Sequence, residues 1–193
     1  MDDITRASEA IAAGELVVYP TETVYGLGAD AFSPKAIDRV FALKDRPRDR
    51  PLSVAIPTLD AIEAVARPSG TTHAFMETFL PGPVTVVCEK QPALPGALTS
   101  GSDRVGIRIP DQDVARGLLE RTGPLTATSA NVSGGPDVRD PDDLATEILE
   151  GVSVVLDDGR TPGGVSTVVD PEEGVIHRAG LEVEAVQRWL DLP

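Results

Sequence analysis

The sequence predicts a single domain of mixed α/β class, in which helices flank a twisted sheet. Three observations lead to this prediction. A chain of 193 residues suits one compact domain, so we expect one domain over residues 1–193. No internal repeat or linker-like stretch divides it. Strand-like and helix-like segments intermingle without a strict βαβ repeat, which favours a mixed sheet over a Rossmann or barrel arrangement.

Helices are predicted where apolar residues recur at helical spacing after a capping residue. Ser33-Pro34 is such a start, because serine caps well and proline suits the first turn. Gly14 stands where a C-terminal cap belongs. The predicted helices cover residues 4–12, 34–44, 58–66, 72–80, 113–121, 140–149 and a last segment from 183 that carries Trp189.

Strands are predicted where short apolar runs end at proline, glycine or polar residues. They cover residues 16–19, 52–56, 85–88, 105–109, 125–127, 152–156, 166–169 and 175–177, and Cys88 is a core residue of the third. Gly26-Leu27-Gly28 lacks the third glycine of a dinucleotide fingerprint, and neither a Walker A motif nor a G-x-S-x-G elbow occurs. The common nucleotide and hydrolase templates are therefore excluded.

The charge is strongly acidic, with a formal net charge of −14. Such a surface argues against general binding to nucleic acid or anionic membrane. Only three lysines accompany fourteen arginines. This pattern indicates adaptation to high salt, where screening makes surface repulsion tolerable, or else an ordinary acidic mesophilic protein.

The sequence also bears on compartment and metal content. No apolar run approaches the roughly 18 residues of a membrane span, and the acidic start Met1-Asp2-Asp3 is unlike a secretory signal. A single cysteine fits a reducing compartment, so we expect a cytoplasmic protein without membrane association. One cysteine and two distant histidines, His73 and His177, make no zinc set, and we predict no protein-held metal.

Four polar loops follow the predicted strands and helices. They cover residues 19–28, 44–50, 126–134 and 163–170. Each alone is also explained by turn chemistry, since Ser, Thr, Asn and Gly dominate turns. The second loop carries Lys44, Arg46, Arg48 and Arg50, and it is either an anion site or a solvated loop with internal Asp–Arg pairs.

Taken together, the loops carry a family pattern. Lys44-Asp45-Arg46 and Ser129-Ala130-Asn131 form a K-x-R motif and a distant S-x-N motif. Further motifs follow in order: Pro20 to Leu27, Pro81 to Thr85, the Arg108 strand, Ser166 to Asp170, and Arg178-Ala179-Gly180. From about residue 5 to 180 the sequence resembles the YrdC-type threonylcarbamoyl-AMP synthases. The resemblance implies a YrdC-like mixed twisted sheet with flanking helices around a concave basic pocket.

The resemblance also implies an activity. Family members form threonylcarbamoyl-AMP and pyrophosphate from L-threonine, bicarbonate or CO2, and ATP. The product serves N6-threonylcarbamoyladenosine formation at position 37 of tRNA. The nucleophile, a threonine carbamate, comes from the substrates, so the site only has to align reactants and neutralise phosphate charge. We expect Mg2+ to arrive on the ATP, a downstream threonylcarbamoyl transferase complex as partner, and only indirect contact with tRNA.

Carried over position by position, the resemblance implies three sets of site residues. The catalytic set is Lys44 and Arg46. The nucleotide-binding set is Arg46, Arg50, Thr99, Ser129, Asn131 and Arg178. The threonine-binding set is Thr23, Arg108, Thr128 and Ser166. For Arg108 a structural ion pair is an equal alternative, Glu22 and Tyr25 belong to a motif that also braces its own loop, and His73 and His177 are expected to be ordinary residues.

The sequence departs from the family pattern in two respects. Longer members often have histidine in the strand after the basic loop, where Ala55 stands here between Val54 and Ile56. They also carry a second domain after a linker, whereas this sequence ends soon after Trp189, so we expect no linker to close the pocket. Two alternatives to the synthase remain open: a paralogue with little synthase activity, and an RNA-binding module.

Overall fold

The computed structural model describes residues 2–192. Within them the α-helices are α1 Asp3–Ala12, α2 Pro34–Leu43, α3 Gly70–Phe79, α4 Asp113–Thr122, α5 Thr146–Gly151 and α6 Val183–Leu190. Two 3-10 helices cover Leu59–Ala64 and Pro141–Asp143. The strands are β1 Val17–Tyr19, β2 Gly26–Gly28, β3 Ser53–Ala55, β4 Ala66–Arg67, β5 Val84–Lys90, β6 Arg104–Arg108, β7 Leu125–Ser129, β8 Val154–Val155, β9 Thr167–Asp170 and β10 Val175–Arg178.

The predicted mixed α/β class is confirmed. One ten-stranded sheet runs in the order β10-β9-β5-β6-β3-β7-β2-β1-β8, with β4 pairing the outer part of β5. Three neighbouring pairs are parallel, β1 with β8, β3 with β6 and β5 with β9. The other pairs along this path are antiparallel, for example β2 with β7 and β3 with β7.

The helix signals at the start of α2 act as predicted. The Ser33 side chain accepts a hydrogen bond from the Ala36 amide at 3.3 Å, and Pro34 occupies the first turn. Ile37 and Val40 are buried on the face that packs against the sheet. The predicted helix from residue 183 is also confirmed as α6, and its Trp189 packs edge-on against Phe75 with ring centroids 4.9 Å apart.

Three local predictions are wrong. Residues 59–64 form a 3-10 helix in place of an α-helix, and the Thr58 side chain makes no cap. The predicted helix over 140–149 divides into a 3-10 turn and α5, because Leu144 between them has extended backbone with ψ of 130°. Gly26–Gly28, predicted as loop, is a strand between β1 and β7. Glycine has low strand propensity, so pairing with both neighbours decides this segment.

The sheet has two unlike faces. Residues directly opposite on neighbouring strands project to the same side, and successive residues alternate. One side carries the main core, with Val18, Leu27 and Ile107 fully buried among the side chains of α2 and α3. The other side carries Tyr19, Gly26 and Ser129 in one row and, further along the sheet, Arg108 opposite Ala55. The second side is therefore where polar residues gather.

A smaller core covers part of the second side. Helices α1 and α4 bury Ala7 and Leu118 against Val17 and Leu125 of the sheet. The rest of this side stays uncovered and forms the cavity described below. None of the helices within residues 2–192 is long and apolar enough to cross a membrane.

Candidate functional site

A cavity of about 700 Å³ lies on the second side of the sheet. Its size is in the range of small-molecule sites, which run from about 300 to 1,000 Å³. Strands β1, β2, β3, β5, β6, β7, β9 and β10 all contribute to its walls. The predicted site residues that line it are Thr23, Arg46, Arg50, Arg108, Thr128, Ser129, Ser166 and Arg178.

Five arginines line this cavity: Arg46, Arg50, Arg104, Arg108 and Arg178. Burial lowers the pKa of Arg46, and the nearby charges of Arg50 and Arg178 lower it further. Burial and the charge of Arg108 likewise lower the pKa of Arg178. Guanidinium groups that repel one another in a partly buried site are stabilised by a bound anion. The electrostatics therefore favour a ligand with several negative charges.

Arg46 is held in place from the basic loop. Its Nε donates to the carbonyl of Arg50 at 2.9 Å, and its Nη2 donates to the carbonyl of Pro51 at 2.8 Å. Arg46 thus lines the cavity from a fixed position.

The contacts of the rest of the basic loop bear on its two interpretations. Arg48 turns away from the cavity, pairs with Asp38 of α2 and lies 4.7 Å over the Phe41 ring. Among the ion pairs of residues 2–192, none joins Asp45 or Asp49 to an arginine of the loop. The arrangement therefore fits the anion-site interpretation better than internal Asp–Arg pairing.

Arg108 forms the structural ion pair that was one of its two predicted roles, and it also lines the cavity. Its Nη2 donates to Glu22 Oε1 at 2.9 Å and to Thr23 Oγ1 at 2.8 Å. Both members of the ion pair are largely buried, with side chains 14% and 15% exposed. Arg108 nevertheless lines the cavity, and its Nε has no partner among the described residues. The ion pair thus orients a guanidinium that still has free donors.

Two hydroxyl groups, those of Ser166 and Thr85, lie near Arg178. Ser166 Oγ accepts from Arg178 Nη2 at 2.8 Å and is 3.1 Å from Thr85 Oγ1. The Ser166 carbonyl accepts from Arg178 Nε at 3.0 Å. Two hydrogen bonds therefore fix Arg178 and Ser166 relative to each other.

Lys44 has a different environment from the one predicted. The sequence placed it in the polar basic loop, but Lys44 is the C-cap of α2 and is only 1% exposed. Its ammonium donates to the carbonyl oxygens of Ser129 and Asn131, and lies 3.4 Å from Asn131 Oδ1. All three of its donors are thus directed at the loop after β7. Burial, assisted by the charge of Arg46, lowers the pKa of Lys44 to about 8, while Asp137 opposes the shift.

Two further predicted residues do not line the cavity. Asn131 braces the same loop, since its Nδ2 donates to the Gly135 carbonyl at 2.8 Å and its Oδ1 accepts from Ser129 Oγ. Thr99 is buried, and its hydroxyl donates to the Ser102 carbonyl at 2.7 Å. The structure therefore places eight of the predicted residues around one cavity, whereas Lys44, Thr99 and Asn131 do not line it.

Sequence reasoning missed several cavity residues. Tyr19 and Arg104 both line the cavity, and Arg104 pairs with the buried Asp170. His177, which was expected to be an ordinary residue, also lines the cavity, whereas His73 lies 3.7 Å from Glu77 on α3. A signal for Tyr19 exists in the glycines at positions 26 and 28, which make room for a ring. No motif in the sequence indicates Arg104 or His177.

Residues 2–192 contain no group of three or more His, Cys, Asp or Glu side chains placed to hold a metal ion.

The fold and the cavity define an α/β domain whose arginine-lined cavity has the size of a small-molecule site. Comparison with known proteins assigns it more closely. The chain belongs to the Sua5/YciO/YrdC family, whose family model, described as "Telomere recombination", matches residues 9–180. This confirms the family resemblance drawn from the K-x-R and S-x-N motifs.

Individual relatives agree with the family assignment. The threonylcarbamoyl-AMP synthase of Pyrococcus abyssi (strain GE5 / Orsay) is 36% identical over 193 residues, covering 97% of this chain and 57% of that protein. A structure of P. abyssi Sua5 complexed with L-threonine has a TM-score of 0.89 at 36% identity, covering 95% of this chain and 56% of that one. E. coli YciO shares the fold, with a TM-score of 0.84 at 23% identity over 92% of this chain and 89% of its own. This chain thus spans a little over half the length of its P. abyssi relative.

Proposed function

We propose that this chain is a threonylcarbamoyl-AMP synthase that binds ATP and L-threonine in the arginine-lined cavity. The observation that carries the proposal is that five arginines line one cavity in a protein of net charge −14. A triphosphate is a natural ligand for such a cluster, because planar guanidiniums bind phosphate oxygens bidentately. The P. abyssi relative with this name and its complex with L-threonine support the choice of reaction.

The cavity would hold the two substrates side by side. Arg46, Arg50 and Arg178 would bind the phosphates, with Ser129 nearby on β7. At the Arg108 end, the hydroxyl of Thr23 and the free guanidinium donors suit a small polar amino acid. The size of the cavity, about 700 Å³, accommodates both ligands.

The chemistry needs positioning more than reactive side chains. The threonine amine and bicarbonate give a carbamate and water, and an oxygen of the carbamate attacks the α-phosphorus of ATP. A new P–O bond forms, the bond to the β-phosphate oxygen breaks, and pyrophosphate leaves with its electron pair. Preorganised arginines stabilise the charge that develops on the phosphoryl oxygens. Mg2+ would enter with the triphosphate, with phosphate and water as its main ligands, and we assign no step to it.

The test is direct product detection. Purified protein is incubated with ATP, Mg2+, bicarbonate and labelled L-threonine, and the labelled adenylate and pyrophosphate are measured. We expect pyrophosphate release only when threonine and bicarbonate are both present. Equal ATP turnover without threonine would contradict the synthase and favour a paralogue of different activity.

A matched pair of variants tests the site. Arg46→Ala removes a cavity guanidinium and should lower the rate by about 10²–10³-fold, as for other preorganised donors. Arg48→Ala is the control, because Arg48 belongs to the same loop but pairs with Asp38 outside the cavity. It should keep nearly the wild-type rate. Equal losses in both variants would mean that general loop charge, and not the cavity arginine, supports the reaction.

A further inference from the structure

Tyr19 presents a hydroxyl group that no protein group uses. The residue is 2% exposed and lines the cavity. Within residues 2–192 its phenol oxygen makes no hydrogen bond, and it is not among the side-chain atoms sealed from solvent without a partner. The other tyrosine differs: the Tyr25 hydroxyl donates to the Gly159 carbonyl at 2.6 Å and accepts from the Asp158 amide at 3.2 Å. The free Tyr19 hydroxyl therefore faces the cavity space.

The ring of Tyr19 lies directly against two glycines of strand β2, Gly26 and Gly28. A Cβ at Gly26 would lie 3.1 Å from the ring carbon that bears the hydroxyl, and one at Gly28 would lie 2.9 Å from Cε1. No side chain at either position can therefore separate the ring from strand β2. The hydroxyl end of the ring is the end that lies over Gly26, the partner of Ser129 in β7. The phenol is thus directed across the sheet and into the site.

Small residues leave a gap between the phenol and Arg108. Ala127 and Ala55, on the two strands that follow β2 in the sheet, both line the cavity. Ala55 stands opposite Arg108 in the pairing of β3 with β6. Tyr19 and Arg108 lie close enough to influence each other electrostatically. The floor of the cavity is therefore an open space with a phenol on one side and a guanidinium on the other.

The protonation state suits a donor. Burial raises the pKa of Tyr19 to about 12, with Arg108 opposing the shift and Glu22 adding to it. The phenol remains protonated at neutral pH, so it donates a hydrogen bond. Arg108 supplies N–H donors and a positive charge on the opposite side. Donors from two directions, one of them cationic, match a carboxylate group.

We infer that Tyr19 is a substrate-positioning residue whose hydroxyl donates a hydrogen bond to the carboxylate of the amino acid substrate, opposite Arg108. This inference rests on the proposed function, since it names a contact within the amino acid half of that site. Tyr19 lies in the polar loop of residues 19–28, and this inference adds it to the site residues that the family resemblance implies.

The experiment compares Tyr19→Phe with the wild type. The substitution removes one oxygen and keeps the buried ring. Binding of L-threonine and, separately, of ATP is measured by titration calorimetry. We expect Tyr19→Phe to bind L-threonine about tenfold more weakly, the effect of one lost hydrogen bond to a charged group, with ATP affinity unchanged.

Stability provides the second readout. Because the Tyr19 hydroxyl has no protein partner, Tyr19→Phe should melt at the wild-type temperature, whereas Tyr25→Phe loses an internal bond and should melt lower. Equal L-threonine affinity in Tyr19→Phe and wild type would overturn the inference. So would a fall in melting temperature as large as that of Tyr25→Phe, since it would assign the hydroxyl to the fold. Absence of L-threonine binding by the wild type would instead refute the proposed function itself.

Discussion

Replacing Lys44 with methionine keeps a side chain of similar length but removes three N–H donors. These donors reach the carbonyl oxygens of Ser129 and Asn131 and the side-chain oxygen of Asn131. Of these three acceptors, only the side-chain oxygen of Asn131 keeps another donor, the Ser129 hydroxyl. Two carbonyl oxygens of half-buried residues therefore lose their ammonium partner, and the loop after β7 loses its attachment to the end of α2.

The size of the effect follows from these contacts. Each buried acceptor left without a donor costs about 1–3 kcal/mol, or about 2–6 kcal/mol for two. Methionine offsets part of this loss, because the folded state no longer has to bury a charge. We therefore expect a net loss of about 2–3 kcal/mol in the free energy of unfolding. For a chain of this length, about 2–4 °C per kcal/mol gives a fall in melting temperature of about 5–10 °C.

The assay combines thermal denaturation with ATP binding. Arg46→Met is the matched control from the same motif, because its protein contacts are carbonyls of the exposed residues Arg50 and Pro51 that water can satisfy. It should melt within about 2 °C of the wild type while losing ATP affinity. If Lys44→Met melted like Arg46→Met and still lost ATP affinity, Lys44 would act on the ligand directly, and the reasoning from its buried contacts would be refuted.

Two further predictions concern pH and packing. The pKa of Lys44 is about 8 in the folded protein against an ordinary value of 10.5, so between these values the unfolded chain binds more protons. The free energy of unfolding of the wild type minus that of Lys44→Met should therefore be constant below pH 8. Above pH 8 this difference should rise by at most about 1.4 kcal/mol per pH unit. If chemical denaturation gave the same difference between the two proteins at pH 7 and at pH 10, the prediction would be contradicted. Gly28→Ala places a methyl group 2.9 Å from the Tyr19 ring and 3.3 Å from Leu125, and should lower stability by about 1–3 kcal/mol. Gly96→Ala, with nothing within 4 Å, is the control, and equal melting of the two variants would argue against the tight contact.

The sequence by itself determined much of the architecture. Hydrophobic spacing and capping residues located α1, α2 and α4 because these signals act within a few residues. Apolar runs bounded by proline and glycine located most strands for the same local reason. The K-x-R and S-x-N motifs and the order of the other motifs identified the family. They also named eight residues that line one cavity.

The tertiary structure alone decided what depends on neighbours far along the chain. Gly26–Gly28 is a strand because β1 and β7 pair with it, and the pairing also lays Tyr19 on the cavity floor. Lys44 belongs to the same motif as Arg46, yet helix α2 ends so that its ammonium meets the carbonyls of the loop 85 and 87 residues away. Arg46 faces the cavity instead. Burial and direction of a charge depend on which strands and loops surround it, and one sequence without those contacts does not contain that information.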